Sequence, residues 1–297
     1  MQKIISHLWF DGQAEEAAAF YTSIIADSEI GRVTRYESAG AQVSGQSVGQ
    51  VMTVEFKLGG QTFIALNGGP QFKFTPAISL FVNGENREEV DGIWEKLVDG
   101  GFALMELGEY PFSERFGWVQ DKYGLSWQVN LAPRKQKITP CLMFVGKQHG
   151  KAEEAMRLYT SLLADSGIVE LSRYGEGEGG DEGTVKQAVF TLQGQEFIAM
   201  DSGLGHSFTF SEAISLFVNC TDQVEVDELW AKLSADGEKG NCGWLKDRFG
   251  VSWQIVPTAL GEMLGDSDPA KVHRVVQAML QMDKLDVEGL RRAYAGE

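Results

Sequence analysis

Two stretches decide the fold: GWVQDKYGLSWQV at Gly117–Val129 and GWLKDRFGVSWQI at Gly243–Ile255. Seven of the thirteen positions are identical, and two Gly, two Trp, an Asp, a Ser and a Gln recur at one spacing. Each stretch lies late in its half of a 297-residue chain, which marks an internal duplication. Working outward, Lys137-Ile138 answers Lys3-Ile4, and Glu153-Glu154-Ala155 answers Glu15-Glu16-Ala17. Tyr159-Thr160-Ser161 answers Tyr21-Thr22-Ser23, and Arg173-Tyr174 answers Arg35-Tyr36. GQEFIAM at Gly194–Met200 answers GQTFIAL at Gly60–Leu66, Trp230 answers Trp94, and AISLFVN occurs unchanged at Ala77–Asn83 and Ala213–Asn219. The repeat covers residues 3–256.

Each half repeats its own order. The first predicted strand is Lys3–Phe10, followed by a turn at Asp11-Gly12 with Asp11 as helix cap. A helix is predicted over Ala14–Ile25, where Ala17, Phe20, Tyr21, Ile24 and Ile25 approach i, i+3, i+4, i+7 spacing. Ser38–Gly49 reads as a Gly/Ser-rich loop. Val51–Leu58 and Gln61–Leu66 read as strands joined at Gly59-Gly60. A second unit opens with the strand Ile78–Asn83 and a helix over Asn86–Asp99, whose Val90, Ile93, Trp94 and Leu97 share one face. Strands follow near Ala103–Leu107, Gly117–Gln120 and Ser126–Asn130, with Asp121 and Gly124 as turn residues. The pattern is βαβββ twice per half, an α+β class. It divides the chain at residues 1–132, 133–257 and a tail of 258–297. In the tail, Asp268-Pro269 opens a helix with Val272, Val275, Val276 and Met279 on one face, Asp286 caps a last helix, and the tail is expected to dock on the core. The halves differ in one place: Trp94 and Trp118 lie 24 residues apart, whereas Trp230 and Trp244 lie 14 apart. A strand and loop are therefore shortened in the second half.

Composition narrows the partners. The hydrophobic share is 43% and the charged share 23%, and the N-terminus MQKIISHLWF lacks the run of a signal peptide. Neither a membrane span nor a membrane partner is expected. A net charge of −16 repels phosphate backbones, so nucleic acid is not an expected partner. Three cysteines without CxxC spacing point to a reduced, cytoplasmic compartment. The sequence is read as lacking a G-x-G-x-x-G run after a strand, and with it a dinucleotide site or methyltransferase glycine loop.

Four βαβββ units carrying these words resemble the vicinal oxygen chelate superfamily, which includes glyoxalase I, bleomycin-resistance proteins and extradiol dioxygenases. Within it the chain looks like the PhnB-like (demethylubiquinone 3-methyltransferase-domain) branch. The carrying residues are WFDGQAEEAAAFYTSI at Trp9–Ile24, GQTFIALNGG at Gly60–Gly69, the two SLFVN runs, the doubled GWxxDxxGxSWQ, and VQAMLQMDKLD at Val276–Asp286. The resemblance implies tandem glyoxalase-like domains, in which pairs of modules form curved mixed sheets around half-open cups. It also implies a monomer acting as an internal pseudo-dimer, or a homodimer.

Enzymes of that superfamily hold a divalent metal with His, Glu or Gln from the first and last strands of the modules. The matching positions here are His7, Ser79, Cys141 and Ser215 on first strands and Gln128 and Gln254 on last strands. If the halves exchange modules, His7 faces Ser215 and Gln254; if not, it faces Ser79 and Gln128. Neither set contains a carboxylate, so no metal or other cofactor is expected, and His7 reads as a pocket-wall hydrogen-bonding group. Trp9, Trp118, Tyr110 and Arg115 complete the candidate cup walls and lid, with Asn67 and Asp201 placed at the cup mouths. Trp94, Trp127 and Trp230 are assigned to the core, and Asp121 and Asp247 to turn capping. The expected function is binding of a small, partly aromatic molecule without metal. The alternatives are a metal-dependent lyase, isomerase or dioxygenase, and a scaffold whose tail pairs with another chain.

Overall fold

The computed structural model describes residues 2–297. The first half comprises β1 (Ile4–Phe10), α1 (Ala14–Ile24), β2 (Glu29–Arg35), α2 (Ser38–Ser44), β3 (Val51–Leu58) and β4 (Gln61–Asn67), then β5 (Ile78–Gly84), α3 (Arg87–Val98), β6 (Phe102–Tyr110), β7 (Ser113–Gln120) and β8 (Ser126–Leu131). The second comprises β9 (Ile138–Val145), α4 (Ala152–Leu162), β10 (Gly167–Arg173), β11 (Val185–Leu192) and β12 (Gln195–Ser202), then β13 (Ile214–Cys220), α5 (Gln223–Leu233), β14 (Glu238–Lys239), β15 (Trp244–Lys246) and β16 (Ser252–Pro257). Three tail helices follow: α6 (Thr258–Leu264), α7 (Pro269–Met279) and α8 (Val287–Ala295).

The strands form two eight-stranded mixed sheets that do not follow the halves. One runs β14-β15-β16-β13-β1-β4-β3-β2, and the other β10-β11-β12-β9-β5-β8-β7-β6. The first module therefore pairs with the fourth and the second with the third. The antiparallel seams β1/β13 and β5/β9 place His7 opposite Ser215 and Ser79 opposite Cys141. Equivalent side chains tie both seams. Lys3 pairs with Glu225 and Lys137 with Glu89, while the Asn219 and Asn83 amides donate to the carbonyls of Gln2 and Gln136. The exchange left open by the sequence is thus realised, in the manner of a pseudo-dimer within one chain.

Strand alternation separates two faces. On β5, Ile78, Leu80 and Val82 enter a core built with α1, α3, α4 and α5, while Ser79 and Phe81 point to the opposite, concave face. Both sheets and four helices share that one core, which includes Trp94, Trp127, Trp230 and Trp253. The doubled stretch supplies its fasteners. Asp121 Oδ2 accepts from the Tyr21 hydroxyl at 2.7 Å and from Trp127 Nε1 at 2.8 Å, while Oδ1 accepts from the Tyr123 and Leu125 amides. Asp247 does the same with Tyr159, Trp253, Phe249 and Val251. Each Asp is a turn cap, as expected, but it also bonds a helix of the preceding module across the core. That role was invisible without knowing where the Tyr-Thr-Ser repeats pack. The glycines have separate reasons. Gly124 and Gly250 hold φ of +85° and +87°, whereas a Cβ at Gly117 would collide with the Trp94 ring.

Several expectations are corrected. Asp11 does not cap α1: the side chain before the first turn, Gln13, makes no cap, and Asn67 Oδ1 accepts from Ala14 N instead. Part of the expected loop at Ser38–Gly49 is α2, capped by Glu37 and closed by Gly45 in the left-handed region. The edge strand β2 had escaped assignment because EIGRVTR is polar and almost wholly exposed. The βαβββ pattern ends with β16 at Pro257, and the tail then begins with a helix not expected from the sequence, α6. Finally, GEGEGG at Gly175–Gly180 does satisfy G-x-G-x-x-G after a strand. It leads into β11 rather than a helix and carries two glutamates, so it lacks the helix N-terminus that would cradle a phosphate.

Candidate functional site: two cups

The concave faces of the sheets form two cups with equivalent floors. In the first, the Gln254 side-chain amide donates to Ser215 Oγ at 2.9 Å; in the second, Gln128 donates to Ser79 Oγ at 2.8 Å. All four residues are buried. Register carries each floor across the sheet, since Phe217 stands beside Gln254 and Phe81 beside Gln128.

The remaining walls differ. In the first cup His7 lies 6.1 Å from the Phe217 ring in a stacked arrangement and 6.0 Å from Trp244 edge-on. Trp9 meets Trp244 and donates from Nε1 to the Gly69 carbonyl at 2.7 Å. Burial among these rings drives the His7 pKa down to about 3, so its imidazole is neutral. Its Nδ1 has no hydrogen-bond partner among the described residues. The second cup has Cys141 where the first has His7, walled by Phe81, Phe116, Val189 and Ile198, with Met105, Tyr110, Trp118 and Met200 half-buried around them. Burial pushes the Cys141 thiol up to about 12, against the opposing pull of Ser79 and Gln128. It is a neutral group, not a thiolate. Trp118 Nε1 donates to Ser126 Oγ at 2.8 Å, and the Tyr110 hydroxyl to the Glu106 carbonyl at 2.8 Å.

The structure thus gathers His7, Trp9, Ser215 and Gln254 in one cup, and Ser79, Tyr110, Trp118, Gln128 and Cys141 in the other. It does not bring Asn67, Asp201 or Arg115 to either. Asn67 is bound between Ala14 N and the Val51 carbonyl. Asp201 accepts from the amides of Gly150, Ala152 and Val185 at the start of α4. Arg115 is paired with Asp91 of α3 at 2.7 Å, on the helix side of β7. These polar residues anchor helices, a role that strand-end position alone does not reveal. Sequence reasoning missed Phe217, Trp244, Met105 and Met200. The two-residue alternation from His7, Trp118 and the Gln-bearing strands was the signal that could have found them.

Neither donor set suits a divalent ion. One offers an imidazole, a hydroxyl and an amide whose NH2 is already donating; the other offers a neutral thiol, a hydroxyl and an amide. No carboxylate stands beside either, and no group of three or more His, Cys, Asp or Glu side chains converges among the described residues.

The tail treats the two cups unequally. α6 leaves β16, and its end at Gly265 lies near the long side chain of Arg32, which extends from the far edge strand β2. His273 of α7 then pairs with Glu37, the cap of α2, at 3.0 Å. The chain returns so that the Met282 and Asp283 carbonyls accept from the amides of Cys242 and Gly243, at the edge that the short β14 leaves uncovered. Val256, Leu260, Met263, Val275, Leu285 and Leu290 form a cluster of their own, with Phe217, Met279 and Met282 against it. The tail therefore spans the first cup from edge to edge. Among the described residues no helix crosses from β10 to β6 over the second. No described helix is long and apolar enough to cross a membrane.

Comparison with known proteins agrees with this architecture. The family model described as 3-demethylubiquinone-9 3-methyltransferase matches twice, at residues 2–130 and 136–256. A PhnB protein from Bacillus cereus is 47% identical over 44% of this chain and 100% of its own, with a TM-score of 0.41. Glyoxalase I from Zea mays covers 85% of this chain and 90% of its own at 9% identity and a TM-score of 0.55, a likeness of fold. Among curated proteins none matches. With the family model spanning both repeats and the module exchange seen in the sheets, the chain belongs to the PhnB-like 3-demethylubiquinone-9 3-methyltransferase family, on a vicinal oxygen chelate fold.

Proposed function

We propose that this protein binds a small, partly aromatic, largely apolar molecule in its cups without a metal ion, as an internal pseudo-dimer in the cytoplasm. The observation that carries the reading is chemical: two concave faces lined by Trp, Phe, Met and neutral polar groups, with buried Gln where a catalytic relative would place an acid. The three cysteines are free, in keeping with a reducing compartment. The family's description names a methyltransferase, but fold and family carry an activity only by analogy. On the face of the first cup Glu55 lies two strands from His7, with Ile64 between, and does not adjoin the Gln–Ser floor. The floors themselves supply no acid, no base of ordinary pKa and no thiolate, so the reading stops at binding.

The test joins two measurements on the full chain. Fluorescence titration with Nile red, an uncharged planar aromatic dye, is expected to saturate. Elemental analysis of protein purified without chelators is expected to find no stoichiometric metal. Absence of saturable dye binding, or a stoichiometric metal lost on His7→Ala, overturns the proposal.

A further inference from the structure

Resting on that reading, we infer that the duplicated cups have divided their roles. The second cup, between β9, β5, β8 and β7, takes the ligand from solution, and the first is closed by the chain's own tail. The guest is a planar, uncharged aromatic molecule with one hydrogen-bonding group.

The closure of the first cup is built from ties at both edges: His273 at Glu37 on one side, the Cys242 and Gly243 amides on the other. Between them the tail lays apolar side chains, Met279 and Met282 among them, in the cluster that holds Phe217. Phe217 is the repeat-mate of Phe81. One cup thus displays what its twin's floor accepts, namely uncharged apolar matter stacked over the phenylalanine beside the Gln–Ser pair.

The second cup has the same floor and lacks the tail. Its rim of Met105, Tyr110, Trp118 and Met200 is half-buried, and two flexible thioethers let it adapt to a flat ring. Val189 stands where the first cup has Glu55, and Cys141 where it has His7, so no charged side chain enters its wall cluster. Ions of either sign would be bound without compensation there. Thr139 supplies the polar contact. It lies on the cup face of β9 opposite Phe81, is 1% exposed, and its Oγ1 has no partner among the described residues.

The experiment uses the full-length protein and Nile red in three forms: unmodified, Met200→Glu, and a locked form. The locked form carries Glu37→Cys and His273→Cys in a Cys242→Ser background, joined by a short bis-maleimide so that α7 cannot leave α2. Met105→Glu serves as a second rim variant, and circular dichroism and cooperative melting check the fold of each. The expected result is one dye per chain in the unmodified and locked forms, with the dissociation constant raised at least tenfold in both rim variants. Loss of binding on locking, with the rim variants unaffected, overturns the assignment while leaving the binding function standing. Two dyes per chain in the unmodified form also overturns it. No saturable binding in any form refutes the function itself.

Discussion

His7 makes stability depend on pH in a window where few other groups titrate. Its ordinary pKa of 6.5 falls to about 3 in the native cup because burial among Phe217, Trp9 and Trp244 penalises the charged ring. The nearest acid on the same face, Glu55, is two strands away with Ile64 between, and does not offset that penalty. Because the folded pKa is depressed, the unfolded chain binds the extra proton. Stability is whole above pH 6.5 and is lost as the pH falls toward 3. By pH 5 the unfolded imidazole is almost fully charged while the native one is neutral, which removes about 2 kcal/mol relative to pH 8. The full difference, below pH 3, approaches about 5 kcal/mol. Urea unfolding followed by tryptophan fluorescence at pH 8, 7, 6 and 5 measures this when done in parallel on His7→Gln. The depressed His206 and the surface carboxylates are common to both proteins and cancel. The variant is expected to lose about 2 kcal/mol less than the parent between pH 8 and 5. A difference below about 0.5 kcal/mol would refute the burial argument, since a ring with water access or an acidic partner keeps a near-normal pKa.

Three further outcomes follow from named contacts. Tyr21→Phe leaves a buried Asp121 oxygen short of one donor and is expected to cost about 1.5–3 kcal/mol; Tyr159→Phe should match it and the pair should add, because each hydroxyl serves its own Asp. Gly124→Ala meets no atom and costs only left-handed strain, about 1–2 kcal/mol, whereas Gly117→Ala drives a methyl into Trp94 and should cost more by the same melts. Cys141 should stay unmodified by a thiol reagent at pH 8 in the native protein while half-buried Cys242 reacts first, with all three cysteines reacting on unfolding; fast native labelling of Cys141 would refute the closed floor.

Much of the fold was legible because duplication doubled the evidence. Local periodicity placed β1, α1, β5, α3 and the final hairpin close to where they lie, and the doubled GWxxDxxGxSWQ run located each last strand. Pairing between modules was not legible. The sequence allowed His7 to meet either Gln, and only long-range packing of β1 on β13 chooses. Capping by Asn67 and Asp201 was misread for a related reason. A polar residue at a strand end looks the same whether it faces a cup or reaches back to a helix start, and the bonding partners lie about fifteen to fifty residues away. The tail's bridge over the first cup was foreshadowed only by the ten-residue deficit between Trp230 and Trp244, 24 minus 14, whose gap it comes to occupy.

The repeat-mates diverge on one face and agree on the other. On the first strands three of the four core-facing pairs are alike, Ile4 and Ile138, Leu8 and Leu142, Phe10 and Phe144, with Ser6 against Pro140 the exception. The cup-facing pairs are unlike: Ile5 and Thr139, His7 and Cys141, Trp9 and Met143. The third strands repeat this, with Phe56 and Phe190 or Leu58 and Leu192 alike inside, and Glu55 against Val189 outside. Close packing explains the agreement, because a buried jigsaw position admits few volumes. It does not explain why Ser79 and Ser215, Phe81 and Phe217, and Gln128 and Gln254 also agree while facing the cups. Module exchange does give those six a common position. Each cup combines one module of the agreeing kind, the second or fourth, with one of the diverging kind, the third or first. The Gln–Ser–Phe floor is therefore the same in both and cannot discriminate between guests. Any difference in what the two cups hold must come from β1, β3 and the tail in one, and from β9, β11 and the β6–β7 hairpin in the other.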